Sequence, residues 1–349
     1  MPGEISGREF VCALKKGADW HTPVVCGAGD GLLILSDGIK AGVTMELDDS
    51  AGQPWITEAD AGEQSVAGSL EAYMRYEGLD TALALIMGIA GVPSQIGTTV
   101  AYENTYNLST NIDGLFATLA EKKLAAVVWE YTSVKLHGFK LSGEMNKPVK
   151  LSLSAICDRL DRASTTNDAT TIAAVTMPDK KNRIIMNKNT IFRLNDQDDI
   201  ALAAGDQIFP SSFELTFDRP MDGEAVAGQD GVAEPADNGF PTASLTLKFP
   251  RYNTASNSFF DDWDAFTSKK MDITFTGKEI ETGNYYTFRI NLTNLKIDNP
   301  EAPLSGAGKI PMSMKLISLG AAVAPAGMAG LTTPMRLDII NKLTTDPLA

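Results

Sequence analysis

A chain of 349 residues is long enough for two or more domains, and its 44% hydrophobic and 21% charged residues describe a globular protein. A formal charge of −14 argues against a conventional nucleic-acid binder, which needs a cationic face to displace counterions from phosphates. No run reaches the roughly 18–20 unbroken apolar residues of a membrane helix, and the opening MPGEISGREFVCALKKG lacks the basic start and apolar stretch of a secretory signal, so the expectation is a chain made and kept in a cytoplasm without membrane contact.

The first element, within CGAGDGLLILSDG, is a buried strand, LLIL, between turns at Asp30-Gly31 and Asp37-Gly38. The run has neither the Gly-Lys-Ser/Thr ending nor the G-x-G-x-x-G spacing of a phosphate loop. A strand VTMEL then leads into an acidic, Ala/Gly/Pro-rich loop over residues 48–68. SLEAYMRY follows as a strand with Leu70, Ala72, Met74 and Tyr76 on one face, and EGLDTALALIMG reads as a short helix. Residues 98–123 add a further strand and a turn.

The next hairpin, VKLHGFKLSGEMNKPVKLSLSAIC, changes phase. Val134 and Leu136 keep a period of two, but the following apolar residues, Phe139 and Leu141, come after a three-residue step. One extra residue in a strand is the mark of a β-bulge. The return strand carries Val149, Leu151, Leu153 and Ala155 on one face.

Beyond a polar stretch at 161–171 the order recurs. NDQDD (195–199) resembles half a calcium loop but has Ile200 where the motif needs glycine, so it reads as a turn. FELTF is a strand, residues 218–243 form a second long acidic loop, SLTLKFPRY matches SLEAYMRY, and NSFFDDWDAF is a helix with Phe259, Phe260, Trp263 and Phe266 at helical spacing. A second phase-slipped hairpin has Ile290 and Leu292, then Leu295 and Ile297, returning through Ile310, Met312, Met314 and Leu316. Leu136 is thereby set against Leu292, and Phe139 against Leu295. The expectation is a mainly β chain with short helices, a β-rich α+β arrangement of two tandem sandwich or barrel-forming domains at 1–165 and 166–349. Leu136, Phe139, Leu141, Leu292, Leu295 and Ile297 form the sheet and bulge core.

No catalytic, cofactor or metal site stands out. Cys12, Cys26 and Cys157 are odd in number and without metal-ligand spacing, so they read as reduced and structural. His21 and His137 have no cysteine or second histidine nearby. Asp261 and Asp264 fall on the polar face of their helix and read as solvated rather than as a carboxylate pair. A duplicated sheet with two protruding loops and no pocket chemistry describes a non-enzymatic assembly subunit.

At SLEAYMRYEGLDTALALIMG, YENTYNLSTNIDGLFATLAEKK, WEYTSVKLHGFKLSGEMNKPVKLSLSAICD and FRLNDQDDIALAAGDQIFPSSFELTFDRPM the sequence resembles the major tail (tail tube) proteins of long-tailed bacteriophages with non-contractile tails. The resemblance implies a virion protein of the phage tail, made in the host cytoplasm and polymerised as stacked rings around a tape-measure protein. Tail terminator and baseplate or tip proteins would be further partners, and DNA would pass through the lumen without specific binding. Sheets of one ring would join edge to edge, and a long loop of each domain would reach the next ring. The loop candidates are Asp48, Asp49, Trp55, Glu58, Asp60 and Glu63 in the first, and Asp222, Glu224, Asp230, Glu234 and Asp237 in the second. Their acidity calls for basic partners such as Lys122, Lys123, Lys180, Lys181 or Arg183. Six-fold domain symmetry, common in the family, implies a trimeric, pseudo-hexameric ring; a hexamer with the second domain outside is the alternative. A tail terminator, a capsid decoration protein, or a carbohydrate- or cell-surface-binding β-domain protein are the competing readings.

Overall fold

The computed structural model describes residues 4–228, 231–304 and 306–349, and the chain is mainly β with short helices. The longer elements of the first half are β1 (Cys12–Lys16), β2 (Ile34–Asp37), β3 (Lys40–Leu47), β4 (Ala59–Tyr73), α1 (Asp80–Met87), β5 (Tyr102–Leu108), β6 (Ala117–Leu124), β7 (Val127–Glu144) and β8 (Lys150–Cys157). Those of the second half are β9 (Thr190–Asp196), β10 (Ser212–Asp218), β11 (Thr242–Phe249), α2 (Thr254–Asp264), β12 (Lys269–Glu281), β13 (Asn284–Glu301), β14 (Met312–Leu319) and β15 (Met335–Asn341). Alternation is strict in β8, β10 and β11, whose Leu151, Leu153, Leu215, Phe217, Leu245 and Leu247 point into one core while their Ser, Thr and charged neighbours point out.

Two long strands organise everything else. The N-terminal part of β7 lies in an outer sheet, between β6 and a short bridge to Leu160 and Asp161, with β1 beyond β6. Its C-terminal part lies in an inner sheet beside β8, which pairs in turn with β4 and then β2 and β3. β13 repeats the plan: its first part pairs with β12 and β15, and its last part with β14, which pairs with β11 and then β10. A strand serving two sheets must bend, and bulges supply the bend.

Each long strand carries two slips. In β7 the first separates Tyr131 from Val134, opposite Leu119 and Ala117, and the second leaves His137 unpaired between Leu136 and Gly138. In β13 the first separates Leu292 from Leu295, opposite Met271 and Lys269, and the second leaves Asp298 unpaired between Ile297 and Asn299. Leu295 therefore occupies the place of Val134, and Ile297 that of Leu136. The pairing of Leu136 with Leu292 read from the sequence matched the second bulge of one strand to the first bulge of the other. Leu136, Phe139, Leu141, Leu292, Leu295 and Ile297 are all buried.

Two of the expected loops and strands have different bounds. The first strand is Ile34–Asp37 rather than LLIL, with Leu32 buried ahead of it and Leu35 half exposed. Residues 59–68 of the first acidic loop are the opening of β4, paired with β3 from Leu47↔Ala59 to Lys40↔Ala67. Alanine and glycine are weak strand formers, which hides this segment from propensity. Where β2 passes into β3 the chain crowds β4: a Cβ at Gly68 would lie 2.3 Å from the Gly38 carbonyl oxygen, so no side chain fits there.

The two halves are tied together by more than their linker. β5, from the stretch that the second half lacks, pairs with β15 at the end of the chain, Tyr106 opposite Leu337. Beneath this joint the Asp80 carboxylate, at the start of α1, accepts from the Tyr106 hydroxyl at 2.8 Å and from Asn341 Nδ2 at 2.9 Å, while Asn104 Nδ2 donates to Asn341 Oδ1. Burial raises the Asp80 pKa, against these hydrogen bonds. α1 is buried almost all round and ends on Gly88 in the left-handed conformation. α2 is capped by Asn253, which accepts from Ser256 N, and lies far more exposed.

Denaturation should therefore be one cooperative transition, and Phe139→Ala should lower its free energy by about 3–5 kcal/mol. Two separate transitions, with only one of them moved by the substitution, would show that the halves fold independently.

Candidate functional site

The surface that stands out is the edge of the inner sheet. Within the chain, the C-terminal part of β7 pairs with β10 over seven residues, from Glu144↔Ser212 to Gly138↔Asp218. This makes one continuous inner sheet in the order β3, β4, β8, β7, β10, β11, β14, β13. On its core face Phe139 meets Phe217 with ring centroids 5.7 Å apart, and on its solvent face Lys140 Nζ is 2.9 Å from Glu214 Oε1. Gly138 lets the backbones close up, since a Cβ there would lie 2.8 Å from the Phe217 carbonyl oxygen. The joint is thus made by ladder, aromatic contact and charge together.

Both ends of this sheet are open. Among the described residues no strand pairs with the outer side of β3, nor with the far side of Asn299–Glu301 in β13. α2 and the turn after it lie beside the latter: the Trp263 indole N–H donates to the Asp298 carbonyl at 3.1 Å, and Lys296 donates to the Phe266 carbonyl. Open edges invite a further strand. Beyond residue 42 the β3–β4 hairpin runs on as an arm whose side chains are exposed: Val43, Met45 and Leu47 share one face, with Met45 70% and Trp55 73% exposed.

The acidic loop candidates divide sharply. Asp48, Asp49, Trp55 and Glu58 lie in the turn of the arm and Asp60 at the start of β4, all exposed; Glu63 is on β4, its side chain outside the described residues. Asp48 accepts from Ser50, which holds its carboxyl below the usual range. The second loop instead folds across the first half. Glu234 meets Lys135, whose side chain is wholly buried, and accepts from Gly114 N at 2.7 Å; Asp237 is 3.0 Å from the buried Arg219; and Trp20 donates to the Val232 carbonyl. Asp222 accepts from Asn238, Glu224 is exposed, and Asp230 lies outside the described residues. Of the basic residues proposed as partners, Lys123 is held by Asp37 and Glu121, at 2.7 and 2.6 Å, and Arg183 lies over the Tyr73 ring. Nothing in the sequence marked Lys135 or Arg219 as the cations that neutralise the second loop.

Residues 45–323 match the family described as phage tail tube protein. The chain belongs to the phage tail tube protein family. It is therefore a structural protein of the phage tail, and the match spans the arm, both bulged strands and the internal joint. No curated protein matches the chain.

In this tail tube protein the titratable groups are arranged for structure. His21 Nδ1 lies 2.9 Å from Asp158, and His137, the bulge residue, 3.5 Å from Asp218. Cys12, Cys26 and Cys157 are free and buried, and burial pushes the Cys26 thiol up to about 12. Among the described residues no three His, Cys, Asp or Glu side chains gather as a metal site. Glu121 on β6 is buried beside Lys123 and Tyr131; desolvation outweighs the Lys123 ammonium and pushes its pKa up to about 7. Its Lys123 partner is shared with Asp37, on the edge strand β2.

A raised carboxyl pKa favours the fold below its ordinary value and loses that contribution as pH climbs through the folded value. Stability should thus fall by up to about 3 kcal/mol between the ordinary 4.5 and about 7 on account of Glu121. Denaturation midpoints across this range should be flatter in Glu121→Gln; an unchanged profile would show that Glu121 titrates normally.

Proposed function

We propose that this chain closes into rings through its two open sheet edges, and that the rings stack into the tube through which phage DNA leaves the virion. The observation that carries the reading is the joint between β7 and β10: the two copies of the fold already meet within one chain, edge to edge, and each leaves free the edge that its twin uses. Three chains then present six equivalent sheets, and a closed barrel is the arrangement that removes every open edge. The tandem domains, 1–165 and 166–349, are the two copies.

The internal joint also supplies a register for the external one. Phe139 and Pro300 hold the same place beside Leu153 and Met314, and Leu70 and Leu247 hold the same place on the neighbouring strands. Through their pairings Lys40 falls where Thr216 does, and Glu301 where Lys140 does. Since Lys140 stands opposite Thr216 inside the chain, Glu301 of one chain stands opposite Lys40 of the next. Opposite charges across a strand pair favour this register.

The arm is the ring-to-ring contact in this reading, with Met45 and Leu47 as its apolar face and Asp48, Asp49, Glu58, Asp60 and Glu63 as its acidic ones. The second loop is assigned to holding the two halves together, because Glu234 and Asp237 have their cations within the chain. A tape-measure protein inside the growing tube, and terminator and tip proteins at its ends, are the partners such a polymer needs. The host cytoplasm is where it would be made, and a long non-contractile tail the particle it would serve.

Negative-stain imaging and sedimentation of the purified protein should give hollow tubes. Lys40→Glu or Glu301→Lys alone should suppress ring closure about ten-fold or more, and the two together should restore it; indifference to all three would remove this register. Met45→Asp with Leu47→Asp should leave folded chains and rings that do not stack, and long tubes from that variant would take the arm out of the mechanism.

A further inference from the structure

The arm and the second loop are one hairpin in two settings. Lys40 and Thr216 hold equivalent places in β3 and β10, as Ala67 and Ser244 do in β4 and β11. Counted forward from the first pair, Met45 matches Met221; counted back from the second, Asp60 matches Asp237, Trp55 matches Val232, and Glu58 falls one place from Glu234. Both segments are laddered at the methionine, Met45 opposite Ala61 and Met221 opposite Asp237. Their surroundings differ. Met221 and Val232 are 8% and 4% exposed, because the second loop lies on the first half, whereas Met45 and Trp55 are 70% and 73% exposed.

The seat of the second loop is built around Lys135. This lysine stands between Val134 and Leu136, opposite Ile156, and donates to the Ile112 carbonyl and to Glu234, whose carboxylate also accepts from Gly114 N. The second half has the same features without a cover. Lys296 stands between Leu295 and Ile297, opposite Ile317, and donates to the Phe266 carbonyl in the turn before β12, as Ile112 lies in the turn before β6. Phe266 and Gly114 are equally far ahead of Lys269 and Ala117, which pair with Leu295 and Val134, and both have left-handed backbone, φ 52° and 74°. A bulky side chain is disfavoured in that conformation, yet Phe266 holds it 66% exposed, its ring centroid 4.4 Å from Lys296 Nζ. Leu319, two places beyond Ile317, and Trp263 add further exposed apolar surface, and among the described residues Lys296 forms no ion pair.

Resting on the ring reading above, we propose that this uncovered patch of the second half is the seat for the arm of the neighbouring chain in the same ring. Met45 and Trp55 pack on Phe266 and Leu319, and Glu58 takes the place at Lys296 that Glu234 holds at Lys135. Charge favours the match, since residues 43–66 contain Glu46, Asp48, Asp49, Glu58, Asp60 and Glu63 and neither lysine nor arginine. Register favours it too: the strand pair in which Lys40 faces Glu301 runs on past the second slip of β13 towards Lys296. Seating takes exposed aromatic surface out of water on both sides and fixes the root of the arm. Ring closure thereby aims the arm at the next ring, so that closed rings stack and single chains do not.

The test uses full-length chains, each first verified as folded by denaturation and then scored for rings and tubes by imaging and sedimentation. Phe266→Gly, which copies Gly114, should leave the single chain folded, because glycine adopts the left-handed conformation without strain, and should lower the yield of tubes about ten-fold while rings persist. Lys296→Glu and Glu58→Lys should each do the same, and the two together should restore tubes. Wild-type tube yield from Phe266→Gly and Lys296→Glu, or a double variant no better than either single one, overturns the seat while leaving the ring reading standing. A wild-type chain that forms neither rings nor tubes overturns the ring reading, and the seat with it.

Discussion

The constraint on which this structure depends is that an open edge of an antiparallel sheet presents a row of unpaired backbone groups that a further strand can complete. Backbone N–H and C=O groups along β3 and the end of β13 need partners, and the chain itself shows what a partner looks like, because β7 and β10 already satisfy the equivalent edges of the two copies. On the proposed reading, assembly continues a pairing begun within the monomer. The same pairing explains why the copies need not be identical elsewhere. Only the four inner strands of each have to match.

The bulged strands give this sheet its form. β7 and β13 each leave one sheet and enter another, and the two slips in each strand re-aim the side chains so that both halves of the strand face the common core. His137 and Asp298 are the residues squeezed out at the second slip, and both turn to charged neighbours, Asp218 and Lys315. Around this frame the cross-ties differ between copies. β5 closes onto β15 and α1 is enclosed, whereas Trp263 on α2 and Phe266 just beyond it are exposed. The first half thereby carries an element that completes the second half's outer sheet.

Much of this was legible. The three-residue steps at Leu136 to Phe139 and Leu292 to Leu295 each mark a real bulge, because a slip in a buried strand must move the apolar residues. Their correspondence was not legible from two steps alone: Tyr131 to Val134 carried the missing one in β7, and in β13 the second slip ends on Pro300, which does not advertise itself as a core residue. VTMEL reads as a strand, but its partner over residues 59–68 reads as loop because Ala59, Ala61 and Gly62 have little strand propensity and face water, so neither composition nor periodicity reports the ladder to β3. YENTYNL announced a strand but not that its partner lies more than two hundred residues away. The acidic loops looked alike in composition and behave differently, since the cations that hold the second one, Lys135 and Arg219, are buried in strands or turns whose neighbours only the fold brings together.

The central claim is that two copies in one chain act as two sixths of a ring. Averaged end-on views of tubes assembled from the pure protein, together with the mass per ring, test it most directly. Three chains per ring with six sheet-bearing lobes around the lumen is the result this account requires. Six chains per ring, with the second copy outside the wall, would contradict it, because β7 and β10 could not then lie side by side in the lumen-lining sheet.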